Sequence, residues 1–184
     1  MLSCINAFRP VEIPKLHYLI GDATEPVRRP AMIIHVCNNT NGWGRGFVLA
    51  VSAKFPEAER QYHEWFRTEH PQLGQVQFVQ VKPEICIGNM ISQEGIRWQG
   101  NVPPIRYGAL NDCLKLAYGK ALKENMTVHM PRIGAVLSGG DWRQIEKIIL
   151  ANITVDSYVY TLEKQKDRWP TIYEKVGCRG DILI

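Results

Sequence analysis

Twice in this chain a strand-like apolar run leads through a glycine-bearing loop into a helical pattern. This repeated junction limits what the chain can fold into. The first run is Ala31–Cys37, AMIIHVC, with the unbroken apolar character of a strand buried on both faces. The loop Asn38–Phe47, NNTNGWGRGF, follows, and then the helical pattern FVLAVSAKF. The second run is the short alternating Thr127–Met130, followed by Pro131–Trp142, PRIGAVLSGGDW, and a helical pattern from about Asp141. Strand, loop and helix in that order belong to an α/β layered fold with a largely parallel sheet and antiparallel edges. Glycine permits positive φ and close main-chain approach, and the start of a helix offers unpaired N–H groups to an anion. Two such cradles suit a diphosphate. The spacing is neither GxGxxG nor GxxxxGKS/T, so it matches neither the dinucleotide fingerprint nor the P-loop.

Composition narrows the class. The chain has 184 residues, enough for one domain with a tail, and 45% hydrophobic with 22% charged residues is the balance of a protein that buries a core. The net charge of +4 is scattered, which permits anionic partners without demanding nucleic acid. Five cysteines at 4, 37, 86, 113 and 178 form no CxxC. An odd, dispersed set predicts reduced thiols in a cytoplasmic protein rather than a disulfide framework or a zinc site, so no metal is expected. Cys37 has two readings: a nucleophile at a strand end, or a small buried residue, and the second needs no further assumption. No apolar run reaches membrane-spanning length and the start lacks a signal-peptide core, so no membrane association is expected.

In chain order, Met1–Lys15 has no clean period and reads as an arm. Leu16–Ile20 is a strand ending in GDAT, Gly21–Thr24. Asp22 lies just past that strand end, where open α/β sheets bind ligands, although Asp and Gly are also ordinary turn formers. The helix after Gly46 is read with Phe47, Leu49, Ala50 and Ala53 toward the core. Pro56 opens a second helix with an apolar stripe of Tyr62, Trp65 and Phe66. Gln75–Val81 alternates as a half-buried strand, and Ile85–Ile91 reads as a more buried one. Ser92–Pro104 reads as a flexible loop in which Trp98 is either a lid residue or an anchor. A helix is predicted from about Pro104, with Leu110, Cys113, Leu114, Ala117 and Ala121 inward, ending at Asn125. The helix after Asp141 turns Ile145, Ile148, Ile149 and Ile153 to one face, and Val155–Leu162 is the last strand. From Glu163 the chain changes character, and the sequence leaves open whether this segment docks on the domain or extends from it.

GDAT, HVCNNTNGWGRGF (His35–Phe47), NMISQEGI (Asn89–Ile96), PPIRYGAL (Pro103–Leu110), HMPRIGAVLSGGDW (His129–Trp142) and VYTL (Val159–Leu162) occur in this order. Together they resemble the macrodomain family, in the branch that holds the terminal ADP-ribose protein glycohydrolase, the yeast ADP-ribose 1''-phosphate phosphatase and the macrodomain of a chromatin remodeller. The resemblance divides the chain into an arm at 1–14, a domain at 15–162 and an extension at 163–184. It implies a three-layer α/β/α sandwich whose cleft binds ADP-ribose or an ADP-ribosylated macromolecule, with no cofactor. By the same resemblance Asp22 accepts a hydrogen bond from the adenine amino group, with Ala23 beside it. Gly42, Trp43, Gly44, Arg45, Gly46 and Phe47 form a first loop against the diphosphate and distal ribose, and Asn38 faces that ribose. Ile133, Gly134, Ala135, Val136, Leu137, Ser138, Gly139 and Gly140 form a second loop with main-chain N–H groups on the phosphates. Tyr160 and Leu162 border the adenine.

Catalysis separates this chain from those relatives. The glycohydrolase pattern has a lysine where this chain has Gln93, which cannot form a Schiff base, and an aspartate where it has Ser138. The first loop carries no acid. Asp141 is the remaining acid near the second loop, and it reads either as a general base or as a helix N-cap. The leading expectation is an ADP-ribose binder, with hydrolysis of ADP-ribose 1''-phosphate or ADP-ribose esters left open. A dedicated ADP-ribosyl hydrolase is the alternative. A third reading is a nucleic-acid binder using Lys164, Lys166, Arg168, Lys175 and Arg179; nucleic acid is otherwise expected only as a modified acceptor.

Overall fold

The computed structural model describes residues 13–169, 171–176 and 182–183. In chain order the elements are β1 (Leu16–Ile20), β2 (Ala31–Asn38), α1 (Phe47–Lys54), α2 (Pro56–Thr68), β3 (Val76–Lys82), β4 (Ile85–Gln93), α3 (Tyr107–Lys123), β5 (Thr127–Pro131), α4 (Trp142–Asn152), β6 (Ser157–Thr161), a 3₁₀ turn (Glu163–Arg168), β7 (Lys175–Val176) and β8 (Ile182–Leu183). The predicted strands and helices are present, with ends moved by a residue or two. The third helix starts at Tyr107 rather than near Pro104, because Arg106 is held extended at the boundary. The expected arm, and Cys4, Cys178 and Arg179, lie outside the described residues, apart from 13 and 14 of the arm.

The six main strands form one sheet in the order β1-β6-β5-β2-β4-β3. Every neighbouring pair is parallel except β3 with β4. β2 lies at the centre, and its alternate side chains feed two cores. Met32 and Ile34 join the residues under α3 and α4, whereas Ile33 and Cys37 join those under α1 and α2. This is a three-layer α/β/α sandwich. The α3 stripe at Leu110, Cys113, Leu114, Ala117 and Ala121 is buried as the spacing predicts.

α1 corrects one expectation. Its buried residues are Val48 and Val51, and Leu49 is 55% exposed. An eight-residue helix made almost wholly of apolar residues has no period from which a face can be chosen. The fold chooses it, by laying Val48 and Val51 with Phe55 against the sheet.

Polar groups buried between the layers are paired. His35 Nε2 lies 2.7 Å from Asn89 Oδ1, Asn89 Nδ2 donates to Gln77 Oε1 at 2.9 Å, and Gln77 Nε2 donates to the Gln61 carbonyl at 2.9 Å. The chain of bonds crosses β2, β4 and β3 to α2. It fixes strand register, because a slip would strand three amides without partners. On the other side of β2, the His129 ring sits 2.9 Å from the Tyr160 hydroxyl and stacks on Tyr158. Tyr62, fully buried, donates its hydroxyl to the Asn38 carbonyl at 2.8 Å and so holds the end of β2.

Two predictions follow from these buried groups. Tyr62→Phe leaves that carbonyl without its donor and lowers the unfolding free energy by about 1 kcal/mol in urea titration. Burial pushes the His35 imidazole down to about 4 and that of His129 to about 3, from an ordinary value of 6.5. Between those values the unfolded chain binds more protons than the folded one, so their contribution is complete above about 6.5 and is lost as the pH falls toward 4. Urea midpoints will fall over that range, and the fall will be smaller in His129→Gln, which bonds but does not protonate.

Candidate functional site

Because β1, β2, β4, β5 and β6 run parallel, their carboxyl ends meet at one rim. Five loops leave from that rim, and between them lies a cavity of about 840 Å³. That volume suits a nucleotide-sized ligand.

Asp22 and Ala23 follow β1 and line the cavity. Asp22 Oδ1 accepts from the Thr24 N–H and hydroxyl, each at 2.8 Å. This turn fixes the carboxylate, and Oδ2 keeps no partner among the described residues. Tyr160, Thr161 and Leu162 at the end of β6 stand beside it on the cavity wall, and the Gly21 N–H donates to the Thr161 carbonyl at 2.9 Å, tying the two strand ends together.

The first loop follows β2. Asn38 was expected to face a ribose, but its side chain is committed to the loop itself. Oδ1 accepts from the N–H groups of Thr40 and Gly42 and from the Thr40 hydroxyl, and Nδ2 donates to the Gly42 carbonyl at 2.7 Å. Trp43 also departs from expectation. It is 4% exposed, packs on Tyr62 and donates Nε1 to Ser52 Oγ at 2.6 Å, so it anchors the loop from below. Gly42, Gly44, Arg45, Gly46 and Phe47 do line the cavity. Gly46 has φ of +86°, and a Cβ there would lie 2.7 Å from Leu137 Cδ1 of the second loop. Any larger residue would be strained by the positive φ and would make the Leu137 side chain turn aside. α1 starts at this point with no side-chain cap.

The second loop follows β5. Ile133, Gly134, Val136, Leu137 and Ser138 line the cavity; Ala135, Gly139 and Gly140 do not. Gly140 instead closes the loop from behind, its N–H on the Gly134 carbonyl at 2.9 Å, with no room for a Cβ. The N–H groups of Gly134, Val136, Leu137 and Ser138 meet no acceptor among the described residues. Four cavity-lining residues of this loop thus keep main-chain donors free for water or a ligand, and an anion would suit them. Asp141 is off the cavity wall. Its Oδ1 accepts from the Arg143 N–H at 2.9 Å, which makes it the N-cap of α4.

Ser138 and Gln93 stand together: Ser138 Oγ donates to Gln93 Oε1 at 2.6 Å, and Gln93 Nε2 donates to the Gly95 carbonyl at 2.8 Å. No ionisable group occupies this pair. His35 and Cys37 form part of the cavity floor, with Sγ 3.6 Å from Nδ1. Burial holds the thiol well above its ordinary range and the imidazole at about 4, so both are neutral near pH 7. A reactive thiolate is not formed there. The other charged groups on the wall are Arg45, Arg97, Arg132 and Lys164, against the single carboxylate of Asp22.

Sequence reasoning passed over several of these wall residues. Ile96 and Arg97 come from the loop read as flexible, and Trp98 in that loop is 55% exposed while its ring fills the place of a Cβ at Gly139. Arg132 sits inside the quoted PRIG stretch without a chemical signal of its own. Lys164, Gln165 and Trp169 belong to the extension, whose position no local pattern gives.

No family model matches the chain. It is 27% identical over 176 residues to the mouse protein chromodomain-helicase-DNA-binding protein 1-like, covering 88% of this chain but only 19% of that protein's length. It is 22% identical over 156 residues to the ADP-ribose 1''-phosphate phosphatase of Lodderomyces elongisporus, covering 79% of this chain and 98% of that one. The structure of a macrodomain protein from Streptomyces coelicolor superposes with a TM-score of 0.71 at 40% identity, over 80% of this chain and 99% of that one. On that identity, fold and coverage, the chain belongs to the macrodomain family.

Proposed function

We propose that this protein binds ADP-ribose, or an ADP-ribosyl group carried by a macromolecule, in the cavity at the strand-end rim. The observation that carries the reading is the pair of loops. The second loop has main-chain N–H groups, unpaired among the described residues, on residues that line the cavity, and the first brings an uncapped helix start and Arg45 to the same wall. Such donors hold a diphosphate without any need for a metal. Asp22, one carboxylate oxygen of which remains unpartnered among the described residues, supplies an acceptor for an exocyclic amine at the other end. Tyr160 and Leu162 give that end an apolar wall, and Phe47 shapes the first-loop side.

Binding is favoured over a lysine-dependent glycohydrolase, because neutral Gln93 and Ser138 are bonded to each other where that chemistry needs an amine and an acid. Hydrolysis of ADP-ribose 1''-phosphate is the second reading, favoured by the name of the Lodderomyces relative. In that reading Asp141 is the candidate base; its capping bond makes the structural role sufficient.

Calorimetric titration with ADP-ribose tests the main reading, and a micromolar dissociation constant is expected. Asp22→Ala will weaken ADP-ribose by about tenfold or more, the loss of one charged hydrogen bond, and will leave ribose 5-phosphate nearly unchanged. Equal losses for both ligands would contradict the adenine role. Asp141→Ala will lower stability by about 1 kcal/mol through the lost cap and will keep the dissociation constant. If the wild type turns over ADP-ribose 1''-phosphate, loss of turnover in that variant with binding intact would assign the base to Asp141.

A further inference from the structure

The described residues 163–169 and 171–174 beyond β6 lie against the cleft. Residues 163–168 form the 3₁₀ turn, in which no residue is buried. The segment after it is fastened at discrete points. The Trp169 ring lies 4.6 Å from the Arg132 guanidinium carbon and 6.4 Å, edge on, from the ring of Trp142. Thr171 Oγ1 accepts from Arg132 Nη2 at 2.7 Å. The Glu174 N–H donates to the Tyr18 carbonyl at 2.7 Å, and its carboxylate lies 2.9 Å from His17 Nδ1, so the segment adds a parallel bridge to the free edge of β1. Lys164, Gln165 and Trp169 thereby form part of the cavity wall.

Arg132 joins this segment to the cavity. It is 7% exposed and sits among the rings of Tyr18, Trp142 and Trp169. Nε donates to Thr161 Oγ1 at 3.1 Å at the end of β6, and Nη2 donates to Thr171. Nη1 is buried and has no acceptor among the described residues. A guanidinium with an unused buried donor on the wall of a cavity has hydrogen-bonding capacity left for a ligand oxygen.

We propose that residues 163–169 and 171–174 act as a strap that forms one wall of the nucleotide site, with Trp169 as its ligand-facing side chain and Arg132 as the residue that positions both strap and ligand. Two of the guanidinium's donors hold β6 and the strap, and the third, Nη1, donates to an oxygen of the bound nucleotide. The 3₁₀ turn buries none of its residues, so the strap is held through its fastenings at Trp169, Thr171 and Glu174. Ligand binding then tightens the strap, because an oxygen bonded at Nη1 fixes the same guanidinium that holds Thr171 and packs on Trp169. This rests on the ADP-ribose reading given above and adds residues of the extension to that site.

Calorimetric titration of ADP-ribose into the wild type, Trp169→Ala and Thr171→Val tests it, with melting temperatures taken on the same samples. Trypsin digestion with and without saturating ADP-ribose gives a second readout, through cleavage after Lys164, Lys166 and Arg168. Expected are an affinity loss of about tenfold for Trp169→Ala and a smaller loss for Thr171→Val, at nearly unchanged melting temperature. Ligand should slow cleavage at the three sites in the wild type and do so much less in Arg132→Lys, which keeps the charge but not the forked donors. Wild-type affinity in both binding variants, or cleavage indifferent to ligand, overturns the strap while leaving the nucleotide site standing. A wild type that takes up no ADP-ribose overturns the functional reading and the strap together.

Discussion

Main-chain N–H groups of the second loop that have no partner among the described residues are the constraint on which the site is organised. A buried or half-buried amide without an acceptor is costly, and a native chain tolerates several in one place only where a ligand or water supplies the acceptor. Here the second loop, with Val136 and Leu137 exposed and Ser138 buried, is held in shape by bonds on either side of those donors. Gly140 closes the loop from behind, Ser138 is tied to Gln93, and the Asp141 cap fixes where α4 begins. The first loop is framed in the same manner by Asn38, whose side chain makes four bonds to the loop, and by Trp43 beneath it. Rigidity of the frame is what keeps the donors from collapsing onto one another.

The parallel sheet supplies the geometry. Parallel strands end at the same rim, so each crossover delivers a loop there and the opposite ends carry only connections. β3, the antiparallel strand of the six-stranded sheet, lies at the edge away from the cavity, and none of its residues lines it. The polar line from His35 through Asn89 and Gln77 then locks β2, β4 and β3 in register beneath the floor. A one-residue slip in β2 would exchange the floor residues His35 and Cys37 for side chains meant for the other core. Fold specificity and site shape are therefore set by the same bonds.

Charge completes the site. Four cationic side chains and one carboxylate stand on the wall, an imbalance that suits a diphosphate with an amine-bearing base at one end. The histidine and cysteine on the floor stay neutral because burial disfavours their charged forms, which leaves the floor as surface rather than reagent.

Local sequence determined most of the frame. The apolar runs at Ala31–Cys37 and Ile85–Ile91, the α3 stripe and the two glycine-bearing loops were legible because burial periodicity and turn chemistry are written in neighbouring residues. Asp22, Gly42, Gly46 and Leu137 stood where strand ends predict a rim. Other assignments needed the third dimension. Which face of α1 is buried, and that Trp43 anchors the first loop from below on Tyr62, depend on neighbours well removed along the chain; the Asn38 and Asp141 bonds are local, and the N-cap was among the readings that the sequence offered for Asp141. Arg132, Gln93 with Ser138, and Trp169 are joined across separations of tens of residues, and residue type alone does not say which polar atom will find which partner. Periodicity is a local property of a chain; the closing of a cavity wall by its last segment is a contact between distant parts, and only packing decides it.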